Sequence, residues 1–376
     1  MKKNRLAAPD AAALQQLLAQ VASCTKDFLG YPVSKDFDYS PLLPFLQYPL
    51  NNLGDPFVPS TYGVGSREME KEVVSFFANL FRAPENDWWG YVTNGGSEGN
   101  LYGLYLAREL YPKGMVYYSD ATHYSVQKNL HLLNMPGIII RTLPNGEIDY
   151  DDLEHTISIN RHLPVIMLAN IGTTMTEARD DVKRIKDILR KLAIRHHYIH
   201  ADGALSGSYS AFLAPRPAFD FADGADSIAI SGHKFIGSPI PCGVVVAKKS
   251  NRDRIARSVA YIGSMDTTIT GSRNGHSPLF LWYAIKSLGI AGLEERARHS
   301  LAVAAYAVER LNENGIAAWR NRDAITVVFP DPPAAVRQRW QLASENGWSH
   351  LVCMPNVSRQ QVDAFIDALT PALAAV

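Results

Sequence analysis

Residues 226–243 read DSIAISGHKFIGSPIPCG. Ser227–Gly232 has the apolar, β-branched character of a buried strand, and it ends abruptly in adjacent His233 and Lys234 within a bed of Ser, Gly and Pro. A second apolar run, CGVVVAK (242–248), follows at once. Upstream, the same kind of run recurs: WWGYVTN (88–94), MVYYSD (115–120), GIIIRTL (137–143), PVIMLANIG (164–172) and HYIHADGA (197–204). Segments of helical spacing separate most of them, DDVKRIKDILRKLAI (180–194) being the clearest. Seven short strands alternating with helices predict an α/β fold with a mainly parallel sheet covered on both faces. Ligands of such sheets bind beyond the carboxyl ends of the strands. TNGGSEGN, SDATHYS, ANIGTTMTE, HADGALSG and SGHKF all fall at such ends, so polar groups from distant parts of the chain are expected to meet in one crevice.

The rest of the 376-residue chain flanks that unit. Residues 1–60 carry two helices and Pro-rich turns and are suited to packing on a partner subunit, the Pro-rich part 31–60 being too irregular for a core. A large domain is expected over 61–271. A smaller α+β domain follows over 272–376, with helices at 275–290, 292–314 and 358–374 and strands near 324–329 and 349–354. Apolar residues make up 47% and charged residues 20%, ordinary values for a globular protein. The 37 basic residues balance 37 acidic ones, and no basic run carries interleaved aromatics, which argues against nucleic acid or an anionic membrane as a partner. Cys24, Cys242 and Cys353 are far apart and lack zinc spacing, so they read as thiols in a reducing compartment. Pro9, Asp10 and Gln residues interrupt the apolar part of the N-terminus, which reads as an amphipathic helix rather than a signal peptide. No run reaches the length of a membrane span. A cytoplasmic protein is expected.

Each polar cluster has a structural reading and a chemical one. Lys234 is either a surface lysine at a strand end or an amine nucleophile whose burial lets it shed its proton. Asp202 either caps a turn or stabilises a protonated ring nitrogen. Ala204 either fills a small gap or leaves room for a flat ring. Gly95, Gly96, Ser97 and Gly99 open a helix, and helix-start N–H groups with a hydroxyl suit a phosphate, although neither a P-loop nor a GxGxxG pattern is present. His123 either caps a turn or stacks on an aromatic ligand, and Thr173 either closes a turn or offers a hydroxyl. Taken together, an amine, an acid, an anion cradle, a stacking imidazole and small residues around a planar object match what pyridoxal phosphate needs.

With those residues in view, the sequence resembles the group II pyridoxal-phosphate amino acid decarboxylases, in their compact histidine and serine decarboxylase branch. YVTNGGSEGN, THYSV, NGEIDYDDL, NIGTT, HADGALSG, SGHKFIGSPIPCG and GSRNGH carry the resemblance over residues 27 to 370. It implies the aspartate aminotransferase-like fold, fold-type I, as a homodimer with shared active sites. It implies Lys234 as the residue holding the cofactor aldehyde, Asp202 opposite the pyridine nitrogen and His123 on the ring. It puts Gly96, Ser97, Ser231 and His233 around the phosphate, with Thr173 and Ala204 also lining the cofactor. The proton that replaces carbon dioxide would come from Tyr261, which precedes the Gly/Thr-rich loop 262–271, or from His123.

The substrate signals conflict. Segment 58–70, with Tyr62, Gly63 and Ser66, should line the substrate side, and its Gly63–Gly65 run and the tail 339–358 look like serine decarboxylases. LPNGEIDYDD and AWRNRDAITVVFP look like bacterial histidine decarboxylases. The reading adopted is L-serine to ethanolamine, with L-histidine to histamine as the alternative. Two rivals are an aminotransferase or β-eliminating lyase, with Arg273 as the clamp an aminotransferase would use on a retained carboxylate, and a non-catalytic cofactor-binding or interaction protein.

Overall fold

Burial decides where the strands form. Trp89–Thr93 (β1), Met115–Ser119 (β2), Gly137–Ile140 (β3), Val165–Asn170 (β4), His197–Asp202 (β5), Ser227–Ser231 (β6) and Gly243–Ala247 (β7) make one sheet in the order β1-β7-β6-β5-β4-β2-β3. Every residue of β1, β4, β6 and β7 is buried, the continuous apolar pattern of strands covered on both faces. The computed structural model describes residues 6–59, 61–259 and 264–374.

β2, β3, β4, β5 and β6 pair in parallel, as the strand–helix alternation predicts. β7 is antiparallel to both β6 and β1. The link from β6 to β7, residues 232–242, holds no crossover helix, so the chain turns back as a hairpin does. That link carries Lys234. Register aligns Asn170 with Asp202 and Asp202 with Ala229, while Ser231 and Thr93 both pair with Gly243. The carboxyl ends of β1, β6, β5 and β4 therefore lie along one edge.

The helix Gly96–Leu110 crosses this edge at unusually close range. Gly96, Gly99 and Gly103 face the sheet, and a Cβ on them would come within 2.7 Å of Ser231 Oγ, 2.7 Å of Ala229 Cβ and 2.2 Å of His200 Nδ1 respectively. On the other face, the helix Val182–Lys191 buries Val182, Ile185, Ile188 and Leu189, the stripe its spacing predicts.

Arg257–Val259 (β8) and Ser264–Asp266 (β9) form a small hairpin where the sequence reading had a loop. The helix His276–Glu313 runs through Gly289, whose φ of +61° breaks it into the two helical runs expected. Thr326–Pro330 (β10), Ala343–Glu345 (β11) and Trp348–Val352 (β12) form an antiparallel sheet, β11 being the strand not foreseen. The helix Arg359–Ala374 completes this α+β end. Buried Glu177 fastens it to the large sheet, accepting from Ile325 N at 3.0 Å, Thr326 N at 2.8 Å and Thr326 Oγ1 at 2.6 Å. At the other end of the chain, Ala8–Cys24 is helical, followed by a short 3₁₀ helix at Ser40–Gln47. No described helix is long and apolar enough to cross a membrane.

Candidate active site

Lys234 sits in the β6–β7 link between buried Gly232, Phe235 and Ile236, itself half-buried. Its Nζ makes no hydrogen bond or ion pair with the described residues. Burial holds its pKa below the usual lysine value, opposed by the charges of Asp202 and Glu177. A lowered pKa and an uncommitted amine are what a carbonyl-binding lysine requires. The link is braced from the end domain. Arg296 donates to Phe235 O at 3.1 Å and pairs with Asp36 at 2.7 Å.

Asp202 ends β5 and is buried. Its Oδ1 accepts from Ala204 N at 3.1 Å and its Oδ2 from Asn100 Nδ2 at 2.7 Å. His123 follows β2 in a turn held by Asn170, whose Nδ2 donates to Ser119 Oγ at 3.0 Å and Thr122 Oγ1 at 3.1 Å. Its Nδ1 lies 2.8 Å from Ser125 Oγ. Burial lowers the imidazole's pKa, while Asp202 raises it and Lys234 lowers it further. His123, Asp202 and Lys234 thus share one electrostatic environment, in which burial favours the neutral imidazole.

At the helix start, Gly95 has a φ of +152°, and Glu98 holds the turn by accepting from Asn94 N at 2.9 Å and Asn94 Nδ2 at 2.6 Å. Gly96 abuts both Ser231 Oγ and Ala204 Cβ, the latter 2.9 Å from where its Cβ would stand. Exposed Ser97 stands beside it. His233 is anchored through Nδ1, 2.8 Å from Cys242 O. These groups converge on one cradle, as the strand-end clusters predict.

Other expected residues are differently placed. Thr173 spends its hydroxyl inside the turn 171–178, accepting from Ala178 N at 3.0 Å and facing Thr176 Oγ1 at 3.0 Å. Ser66 is buried and donates to Gly275 O at 2.5 Å, so it joins two segments instead of presenting a free hydroxyl. Tyr62 and Gly63 lie on an exposed turn, with nothing within 4 Å of a Cβ on Gly63. Tyr261 lies outside the described residues. Arg273 is buried, bound to Glu70 and donating to Gly54 O at 2.6 Å. An arginine so committed is not available as a carboxylate clamp, which removes the feature that favoured an aminotransferase.

Residues 65–329 match the pyridoxal-dependent decarboxylase conserved domain. The chain belongs to this family. A histidine decarboxylase from Mesorhizobium japonicum is 50% identical over 95% of this chain and 96% of its own, and one from Acinetobacter baumannii is 49% identical over 90% and 89%. Among solved structures, L-methionine decarboxylase from Streptomyces sp. 590 superposes with a TM-score of 0.90 at 26% identity, covering 99% of this chain and 96% of that one. A glutamate decarboxylase from Lactobacillus brevis shares the fold, with a TM-score of 0.82 at 18% identity, covering 100% and 94%.

This decarboxylase uses pyridoxal phosphate, and the residues present fit it. A methyl group on Gly96 would fill the cradle, Lys234 offers an amine without a partner, and Asp202 offers a carboxylate beside small Ala204. Sequence reading missed Asn100, Asn170, His200, Glu177 and Arg296. The first four stand in or next to motifs it singled out, but their partners lie on other elements. The Gly96, Gly99, Gly103 spacing was the one sequence signal of the close helix–sheet contact that brings Asn100 to Asp202.

Proposed function

We propose that this decarboxylase converts L-histidine to histamine and carbon dioxide. The observation that carries the substrate is the 50% identity to a histidine decarboxylase along almost the whole of both chains. It favours the histidine alternative over serine, toward which the Gly-rich turn after Tyr62 had tilted the sequence reading. That turn is exposed, so its small residues do not by themselves define a small pocket.

Lys234 would hold the cofactor's aldehyde and yield it to the substrate amine. Asp202 would hold a proton on the ring nitrogen, and His123 would lie on the ring face. Gly96, Ser97, Ser231 and His233 would hold the phosphate, with Ala204 beside the ring and Thr173 shaping the neighbouring turn. When bound, the cofactor supplies the sink for the electron pair left as the Cα–carboxylate bond breaks. His123, through its Nε2, or Tyr261 would return a proton to Cα. Holding the substrate in one orientation contributes several kcal/mol, about 7 at the low end.

The exposed apolar N-terminal helix supports a homodimer with shared active sites, in which residues 1–60 pack on the partner and 61–271 and 272–376 form the large and small domains. The free thiols suit the cytoplasm. The test is release of carbon dioxide from L-histidine and L-serine by the holoenzyme. Histamine is expected from histidine, with Lys234→Ala slower by roughly a thousandfold or more. Ethanolamine from serine, with histidine inert, would reverse the assignment.

A further inference from the structure

A line of hydrogen bonds runs from Asp202 back into the core. Asn100 Nδ2 donates to Asp202 Oδ2 at 2.7 Å. His200 Nε2 meets Asn100 Oδ1 at 2.9 Å, and its Nδ1 meets Ser227 Oγ at 2.7 Å. Tyr198 donates its hydroxyl to Ser227 Oγ at 2.9 Å. All five side chains are buried, and they come from the Gly-faced helix, β5 and β6.

The donor and acceptor chemistry fixes the direction of every link. An ionised carboxylate only accepts, so Asn100 turns its amide N–H to Asp202 and its carbonyl away. That carbonyl only accepts, so His200 carries its proton on Nε2. Its Nδ1 is then an acceptor, and the Ser227 hydroxyl proton must point at it. The Ser227 oxygen in turn receives Tyr198. Each bond therefore donates towards Asp202. The line requires a neutral imidazole, and burial lowers the His200 pKa to about 4. Such a chain polarises cooperatively along its length without placing a cation against the carboxylate.

Packing alone does not account for the arrangement. Gly103 clears the space that the His200 ring occupies, where an apolar side chain would fill it without five polar groups to satisfy.

We infer that Asn100, His200 and Ser227 are positioning residues, a one-way donor relay that orients Asp202 as an acceptor towards the cofactor's ring nitrogen. This rests on the reading that Asp202 faces that nitrogen. The relay acts on binding of the ring nitrogen itself, so the measurement is the holoprotein's preference for pyridoxal phosphate over the analogue in which a CH group replaces that nitrogen.

The wild type should prefer the natural cofactor. Asn100→Ala should cut that preference by about tenfold, the value of one hydrogen bond to a charged group, while affinity for the analogue stays as it was. Ser227→Ala, two links further back and a smaller change, should cut it by about two- to threefold. The ¹⁵N resonance of the labelled ring nitrogen should move towards that of a neutral pyridine in the same order. If Asn100→Ala does not fold, Ser227→Ala decides. Variants that keep the wild-type preference and resonance overturn the relay. A wild type with no preference overturns the placement of Asp202, and the relay with it.

Discussion

Lys234 and His200 show how differently burial acts on two basic side chains of one site. For both, burial disfavours the charged form; in the proposed site the neutral form would serve reaction at Lys234 and hydrogen bonding at His200. The folded state holds His200 at about 4 against an ordinary 6.5. Between those values the unfolded chain binds the proton and the folded chain does not. Stability from this group is thus whole above pH 6.5 and is lost as pH falls to 4, by about 3 kcal/mol. His200→Gln has no such group. It should be less stable than the wild type at pH 7, and the gap should narrow by about 2 kcal/mol at pH 4.5. Denaturant unfolding of both proteins at fixed concentration checks this, and a gap that is the same at both pH values would mean that the fold does not lower the His200 pKa. Lys234, Asp202 and His123 stood out in the sequence because each lies at or just past the end of its own strand within a short polar motif. The sequence did not expose Asn100 or His200. Their roles depend on a contact between residues 100 positions apart, and an Asn in a helix and a His in a strand look like ordinary fillers of those elements.

The element that makes those contacts is the helix Gly96–Leu110. Its glycines at 96, 99 and 103 lie on one side, so the backbone settles directly onto Ser231, Ala229 and His200. Gly103→Ala would put a methyl group 2.2 Å from His200 Nδ1, far inside contact distance. The helix or the ring must shift, at a cost of about 1–3 kcal/mol for overpacking. Because the same helix carries Gly96 and Ser97, cofactor affinity should fall with stability. Gly292→Ala, which meets only the Leu288 side chain of its own helix, should leave that affinity unchanged. Thermal unfolding and a cofactor titration of the two variants separate these outcomes, and equal affinity in both would mean that the helix does not set the cradle. The strands were readable in the sequence because runs such as VIMLAN and SIAIS are apolar on both faces. The pairing of β8 with β9 was not, since strands of three residues are too short to leave a periodic signal. The antiparallel sense of β7 turns on the absence of a crossover helix after Ser231, a feature of connection length that a reading of apolar runs passes over.

At the scale of the whole molecule, the N-terminal helix is the part that the single chain does not explain. Ala8–Cys24 buries no residue, and Leu14, Leu17, Leu18 and Val21 are each more than half exposed. Their spacing is that of one apolar stripe, and further along the chain Leu43, Phe45, Leu46 and Tyr48 are exposed as well. A patch of this kind marks an interaction surface, and covering each large side chain is worth about 1.5–3 kcal/mol. The chain after the helix is tied down independently. Leu29 is buried, with its N–H donated to Trp340 O at 3.3 Å and its carbonyl accepting from Val352 N at 2.8 Å. Removing residues 1–24 should therefore leave the sheet intact while uncovering the partner's matching surface. Under the proposed homodimer with shared active sites, the truncated protein should keep its far-ultraviolet circular dichroism, sediment as a monomer where the full chain sediments as a dimer, and lose most of its decarboxylase activity. Sedimentation velocity with a parallel assay decides the matter: a truncated chain that still dimerises with full activity would assign the stripe to some other partner, and a full-length chain that sediments as a monomer would remove the shared site altogether.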